Sequence, residues 1–297
     1  MAGKSAIRHT LGERIFDTFN VVLMIFLALI CLYPMIHVLF CSFSDPAALM
    51  SYEGPVFWFI GEPTVQGYEI TLNNRSLGIG FRNTLLYMGI GTVGNVFLTT
   101  LAAFVLTRKH FKIRRFMSKA MIFTMYFSGG IIPLFVIVTS LKIYNTPLSV
   151  LLPTAISTYN VIITRTFFQN IPENLEESAI IDGAGDWTVF SRIVMPLSKA
   201  VIAVIALYYA VGHWNSWFNA MIFLRDRNLY PLQLFLRELL ILNNTANEAS
   251  SDFVELSLAR DLVKYCTIIV STVPILIVYP FAQRYFVQGV MIGAVKG

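Results

Sequence analysis

Long apolar runs alternate with short polar ones along this chain. Windows of about 20 mostly apolar residues, the length a helix needs to cross a bilayer, fall near residues 16–41, 83–107, 117–140, 148–168, 200–223 and 262–283. Six membrane-spanning helices are predicted. The fourth window is the most polar, carrying Pro153, Tyr159, Asn160 and Arg165. The runs are apolar on all sides, whereas a transmembrane barrel would show ~10-residue strands of alternating polarity. The first run is too long for a removable signal peptide and lacks the small-residue cleavage site, so it reads as a permanent helix.

Composition agrees with this pattern. Of 297 residues, 56% are hydrophobic and 13% charged, against roughly 25% charged in a soluble domain. The predicted class is an all-α integral membrane protein, with a short segment at 1–15, six helices within 16–283 and a tail at 284–297.

One stretch breaks the apolar pattern sharply. Glu176 to Leu197, EESAIIDGAGDWTVFSRIVMPL, is polar and acidic between two apolar runs. Asn170 can cap a helix there, Pro172 fits its first turn, and Glu173, Glu176 and Glu177 place negative charge at the positive end of its dipole. That helix is expected to run to Ile181 or Asp182. Gly183 and Gly185 permit a sharp turn, and Trp187–Val194 can form a second short helix ended with the help of Pro196. The product is a helix-turn-helix knob. Its Leu175, Ala179, Ile180 and Val189 lack a core of their own within so short a segment; spacing allows them to pack on neighbouring helix ends or to fill a groove in another protein.

Basic residues set the expected orientation. With six spans, both termini share a side with the loops at 108–116 and 169–199, and that side carries 14 of the 22 Lys and Arg. The run RKHFKIRR, Arg108 to Arg115, contributes most of the asymmetry in a short loop, where the positive-inside rule is strongest. Termini, basic run and knob are therefore expected in the cytoplasm. The net charge of +5 is explained by orientation and anionic lipid rather than by nucleic acid.

Several chemistries are not supported. Cys31, Cys41 and Cys266, and His9, His37, His110 and His213, are dispersed without metal-ligand or disulfide spacing. Gly3-Lys4-Ser5 lacks the strand and glycine cradle of a phosphate loop. Gly89, Gly91 and Gly94 spell GxGxxG inside an apolar helix rather than after a strand; with Thr92, Asn95, Thr99 and Thr100 they suit close helix approach in a membrane. No HExxH, GxSxG or intramembrane aspartate pair suggests an enzyme, and ionisable groups within the spans are too scarce for a proton- or sodium-coupled carrier.

Two outer segments are long enough to fold, at 42–82 and 224–261. The second predicts an amphipathic helix over 232–242, with Leu232, Phe235, Leu236, Leu239 and Leu240 on one face. In the fifth window, HWNSWFNA places Asn215 and Asn219 four residues apart, on one face of a continuous helix, close to Trp214 and Trp217. Aromatic faces and amides suit sugars, with their C–H surfaces and hydroxyls; the same amides also serve as interhelical glue.

Glu177-Ser178-Ala179, Asp182-Gly183-Ala184 and Ile193-Val194-Met195-Pro196-Leu197 resemble the EAA loop of permease subunits in bacterial ATP-binding-cassette importers, with Ser178 replacing the usual first alanine. Tyr33-Pro34, Ser42-Phe43-Ser44, Asn83-Thr84, Ala102-Ala103-Phe104 with Arg108, Ile132-Pro133-Leu134, Asn145-Thr146, Phe167-Phe168 before Ile171-Pro172, and Trp214-Asn215 extend the resemblance to maltose-type carbohydrate permeases. Tyr230-Pro231-Leu232-Gln233 is similar to the oligosaccharide branch. The resemblance implies a six-helix, type I importer permease in the bacterial inner membrane, paired with a second homologous permease, two ATPase subunits and a periplasmic or extracellular solute-binding protein. It implies that ATP and Mg are held by the ATPases, with no cofactor in this chain, and that the cargo is a carbohydrate, including acidic oligosaccharides. It assigns ATPase coupling to Glu176, Glu177, Ser178, Ala179, Asp182, Gly183, Ala184, Gly185, Ile193 and Pro196, makes Trp214, Asn215, Trp217 and Asn219 candidates for the pathway, and gives the 224–261 loop a role at the binding protein. A membrane scaffold without a pathway is the alternative from another class; the EAA-like loop argues against it.

Overall fold

A computed structural model describes residues 10–245, 262–277 and 280. Expectations for 1–9, for 246–261 of the second outer loop, for the end of the sixth window and for the tail at 284–297 lie outside the described residues. The chain divides into two units, Met1–Asn73 with Asn243–Val270, and Asn74–Leu242 with Ser271–Gly297.

In the first unit, α1 (Leu11–Phe43) opens on a capping box: Thr10 accepts from the Glu13 amide while the Glu13 carboxylate accepts from the Thr10 amide at 2.7 Å. Its 33 residues extend about 50 Å at 1.5 Å each, ample for a bilayer. Apolar side chains from Ile15 to Leu39 are exposed along it, so hydrocarbon or another apolar surface must meet them. After α1 come α2 (Pro46–Met50), capped by Asp45, and α3 (Gln66–Leu72). Tyr68 of α3 reaches back to the Ser42 hydroxyl at 2.7 Å.

The second unit is built on α4 (Arg75–Thr107). Thr84, Tyr87, Gly91, Asn95, Thr99 and Ala103 form its buried face, at the three- and four-residue spacing that puts side chains on one stripe. Next come α5 (Arg114–Tyr126), α6 (Ile131–Ser140) and α7 (Pro147–Leu151), which runs into a 3-10 turn, Leu152–Thr154. They are followed by α8 (Thr158–Gln169), α9 (Glu173–Ile181), α10 (Asp186–Val189), a π turn at Phe190–Val194, and α11 (Met195–Leu197). The series closes with α12 (Lys199–Trp214), α13 (Phe218–Phe223) and α14 (Leu232–Thr245). Helices α8 and α12 pack on the buried face of α4.

The predicted windows turn out to differ in kind. Among the described residues, only α1 and α4 are single helices long and apolar enough to cross a membrane; the third and fourth windows become bent pairs, and α12, at the start of the fifth, forms a bent pair with the Asp186–Leu197 segment before it. Between α5 and α6 the axis turns by 118°, because Gly129 and Gly130 follow Ser128 and Gly130 takes φ +84°, a conformation that costs glycine nothing. The Leu152–Thr154 turn, which contains Pro153, precedes a bend of 50° into α8. The segments on either side of Ser198 meet at 83°. The sixth window is a helix over Leu262–Ile277.

The expected single helix over 200–223 is corrected. It stops at Trp214, and Asn215 is its C-cap. Asn215 donates its side-chain amide to the Val211 carbonyl at 2.9 Å, the same carbonyl its backbone N–H reaches at 3.1 Å. A short amide that satisfies helix carbonyls locally favours termination, and the chain restarts as α13 only at Phe218.

Candidate functional site

The knob follows from local signals. α9 begins immediately after Pro172, whose fixed φ suits a helix start, and carries Glu173 and Glu176 in its first turn, where carboxylates complement the dipole. Asn170 does not cap it: it closes α8 as a C-cap, and the N-cap position of α9 is Pro172, without a side-chain cap. At the turn Gly183 takes φ +85°, which explains its residue type. Gly185, at φ −78° and ψ 166°, has ordinary extended backbone and needs no glycine. The second arm begins at Asp186 and continues through the π turn, whose Phe190 and Val194 are buried.

A core decides which knob residues face inward. Phe104, Val161, Phe168, Val189, Phe190 and Val194 are buried together, with Ala179 and Ala184 packed against them. Small side chains at 179 and 184 let the two arms sit close to this core. Leu175, Ile180, Ile181 and Trp187 point outward and are 46, 56, 85 and 60% exposed. The two alternatives therefore apply to different residues: Ala179 and Val189 pack on neighbouring helices, while Leu175 and Ile180 stay available. Ile181 and Trp187 join them, neither having been singled out from the sequence.

Charge braces the knob against the end of α4. Arg108, the C-cap of α4, donates to both Glu176 oxygens at 2.7 and 2.9 Å, with 13 and 18% of the two side chains exposed. The same guanidinium lies 4.1 Å above the Phe104 ring, a cation–π contact. Lys109 reaches Glu173 at 2.8 Å in the open, and His110 lies 3.7 Å from Asp186. The Lys109 hydrogen bond and charge hold the Glu173 carboxyl below its ordinary pKa. Glu176, expected to contact an ATPase, is thus also a brace within its own chain. Glu177, Ser178, Asp182, Gly183 and Gly185 are exposed, Pro196 likewise, and Ile193 is half-buried.

The other candidate residues do not converge on one face. Trp214 is buried edge-to-face against Phe81 at 6.0 Å. Asn215 is exposed, Asn219 is half-buried in α13, and Trp217 lies under the Arg237 guanidinium at 4.3 Å, packed on Val150, Ala220, Leu224 and Leu234. What α4, α8 and α12 enclose instead is a cavity of about 550 Å³ whose lining includes Asn95, Tyr159, Asn160, Tyr208, Tyr209 and His213.

At the opposite end of α4, the chain after α13 is fastened by neutral groups. Asn83 donates to the carbonyls of Asn228 and Tyr230 at 2.7 and 3.0 Å, Tyr87 to that of Leu229 at 2.8 Å, and the Leu232 amide donates to Thr84 at 2.9 Å. A Cβ on Gly80 would lie 3.1 Å from the Leu232 backbone. α14 then buries Leu232 and Leu236 of the predicted stripe, and Leu234 besides. Of the three GxGxxG glycines, only Gly91 is at a close approach: a Cβ there would lie 2.4 Å from His213 Nε2, whereas Gly89 and Gly94 face open space.

Among the described residues no cluster of His, Cys, Asp or Glu could hold a metal ion. Apolar spans, broken helices and a braced knob with an outward apolar ridge define a multi-span membrane transport subunit. The chain belongs to the family described as binding-protein-dependent transport system inner membrane component, whose model matches residues 14–291. It is 36% identical to Protein LplC of Bacillus subtilis (strain 168), with 100% of both chains covered. It is 38% identical to the polygalacturonan/rhamnogalacturonan transport system permease protein YtcP of the same organism, over 96% of this chain and 99% of that one. Among solved structures it is similar to a chain from the crystal structure of a bacterial ABC transporter involved in the import of the acidic polysaccharide alginate, with a TM-score of 0.85, 29% identity, and 95% of this chain and 100% of the other covered. The chain is thus the membrane permease of an ATP-binding-cassette import system and is not itself an ATPase.

Proposed function

We propose that this permease imports a carbohydrate, specifically an oligosaccharide and in particular an acidic one, by alternating access driven from the knob. The outward ridge of Ile180, Ile181 and Trp187 on a braced two-helix knob carries this reading, because exposed apolar side chains on a rigid mount are what a partner groove takes up. The partner is one subunit of an ATPase dimer that holds ATP and Mg, and the knob, the basic run and both termini lie in the cytoplasm. A second homologous permease completes the pathway, and a solute-binding protein delivers the sugar on the outer side. The cargo class is supported by the relatives, whose names specify polygalacturonan, rhamnogalacturonan and alginate. Closing of the ATPases pulls the knob, and the spans rock as rigid bodies around the pathway.

Ile181 is 85% exposed, so Ile181→Asp should leave the fold intact while removing ATPase association on co-purification and abolishing uptake. Gly183→Asp strains the turn, where φ is +85°, and should lower ATPase association and uptake while inserting normally into the membrane. Normal oligogalacturonide uptake by both variants in reconstituted vesicles would overturn the coupling role. The cargo is tested by which solute, loaded on the binding protein, stimulates ATP hydrolysis by the assembled complex.

A further inference from the structure

The cavity among α4, α8 and α12 is lined by none of the knob residues, yet its walls are built. Asn95 donates to the Thr154 carbonyl at 3.0 Å and meets His213 Nε2 at 3.2 Å, and the Tyr209 hydroxyl meets Thr99 at 2.6 Å and accepts the Ser157 amide at 2.9 Å. These bonds fix the walls. Tyr159 and Tyr208 present rings 6.4 Å apart at 40°, and Asn160, 4% exposed, lines the space with a side-chain amide that has no protein partner among the described residues. Among the described residues, no Lys, Arg, Asp or Glu lines it. A volume of about 550 Å³ falls within the 300–1,000 Å³ typical of small-molecule sites.

Gly212 is the position from which the space can be filled. Glycine inside a helix is about 1 kcal/mol less favourable than alanine, and at Gly91 packing demands it, since a Cβ would strike His213. At Gly212, in the cavity wall, a Cβ would meet nothing within 4 Å. A larger side chain at this position would therefore enter the cavity without striking its walls at the Cβ.

We propose that this cavity is a subsite for one pyranose unit of the transported oligosaccharide, a reading that rests on carbohydrate import. Tyr159 and Tyr208 take the C–H faces of the ring, and the Asn160 amide and His213 imidazole take hydroxyls. Because the described wall carries no acid, Lys or Arg side chain, it reads the ring and not the carboxylate; the charge of a uronate is met outside these residues.

The test uses the assembled complex with its binding protein in proteoliposomes, supplied with oligogalacturonides or with their methyl esters. Gly212→Phe, whose ring enters open space, should lower uptake of both about tenfold or more, while Gly212→Ala changes it less than about threefold. Tyr159→Ala, at a position 52% exposed, should slow both cargoes by the same factor. Wild-type uptake by Gly212→Phe in an intact complex would overturn the subsite. A loss by Tyr159→Ala confined to the acidic cargo would overturn the uncharged reading. If the wild-type complex takes up neither cargo and no loaded carbohydrate stimulates its ATP hydrolysis, carbohydrate import itself fails, and the subsite with it.

Discussion

The two ends of α4 are fastened by opposite means. At the knob end, a guanidinium grips a carboxylate carried by another helix. Arg108 at the C-terminus of α4 and Glu176 in the first turn of α9 each also complement their own helix dipole, so one ion pair joins two helix termini. At the other end, Asn83 and Tyr87 donate to three backbone carbonyls of the 228–230 segment. The first fastening specifies side chains, and the second specifies only a path. The role proposed for the knob, transmitting force, calls for a rigid, directional joint, which bidentate charge-assisted bonds supply. A loop held by its backbone can vary in side chains while keeping its course.

The largest effect is expected where charge is lost. Arg108→Ala leaves Glu176 partly buried without its partner; removal of one member of a buried pair costs 3–5 kcal/mol, and the residual exposure of 13 and 18% brings the expectation down to about 2–3 kcal/mol. Thermal unfolding of the purified permease should show it, together with uncoupled ATPase activity in the complex. Arg108→Lys keeps the charge but loses the two-pronged geometry, so it should recover only part of the loss. The exchange Arg108→Glu with Glu176→Arg is the sharper probe: coupling energy recovered in that double-mutant cycle belongs to the pair, while its absence would mean that the hydrophobic core alone holds the knob.

At the far end the losses should be smaller and differently ordered. Asn83→Ala removes two neutral donations, worth about 1 kcal/mol each. Asn83→Asp should be worse than alanine, because a carboxylate would face the Asn228 and Tyr230 carbonyls with nothing to donate. Substituting Asn228 itself should matter little to this fastening, since its backbone is what Asn83 holds. Limited proteolysis around 224–231 is the readout; equal cleavage of Asn83→Ala and wild type would remove the path-holding role.

How much of this could be read in advance depended on whether the signal was local. Glu173–Ile181, the turn at Gly183 and the Leu232/Leu236 stripe each rest on residues within a few positions of one another, and all were legible. The breaks at 127–130 and 215–217 were not, because an apolar run looks the same whether its helix is straight or bent; Gly129-Gly130 and Asn215-Ser216 were the available signs. Arg108 and Glu176 lie 68 residues apart, and the basic run was already accounted for by membrane orientation, so its second role stayed hidden. The Asn215–Asn219 face presumed a continuous helix. The cavity groups, from Asn95 through Asn160 to His213, come from three helices and have no shared spacing.

The smallest effect tests whether charge alone explains the knob brace. Lys109 and Glu173 are also an ion pair at 2.8 Å, but their side chains are 76 and 65% exposed, where pairing contributes little and is screened by salt. Lys109 holds the Glu173 carboxyl below its ordinary value of 4.5. A depressed acid pKa means that its stabilisation is fully present above about pH 4.5 and fades as pH falls through the lower folded value. Lys109→Ala should therefore melt slightly below wild type at pH 7, by about 1 °C or less, and the two curves should converge as pH drops below 4.5 or as salt rises. The Arg108→Ala deficit at pH 7 should persist in high salt, because its pair is mostly shielded from solvent. If both deficits vanished together with salt, the difference in burial would not be what separates the two pairs, and the knob would be held as loosely at Arg108 as at Lys109.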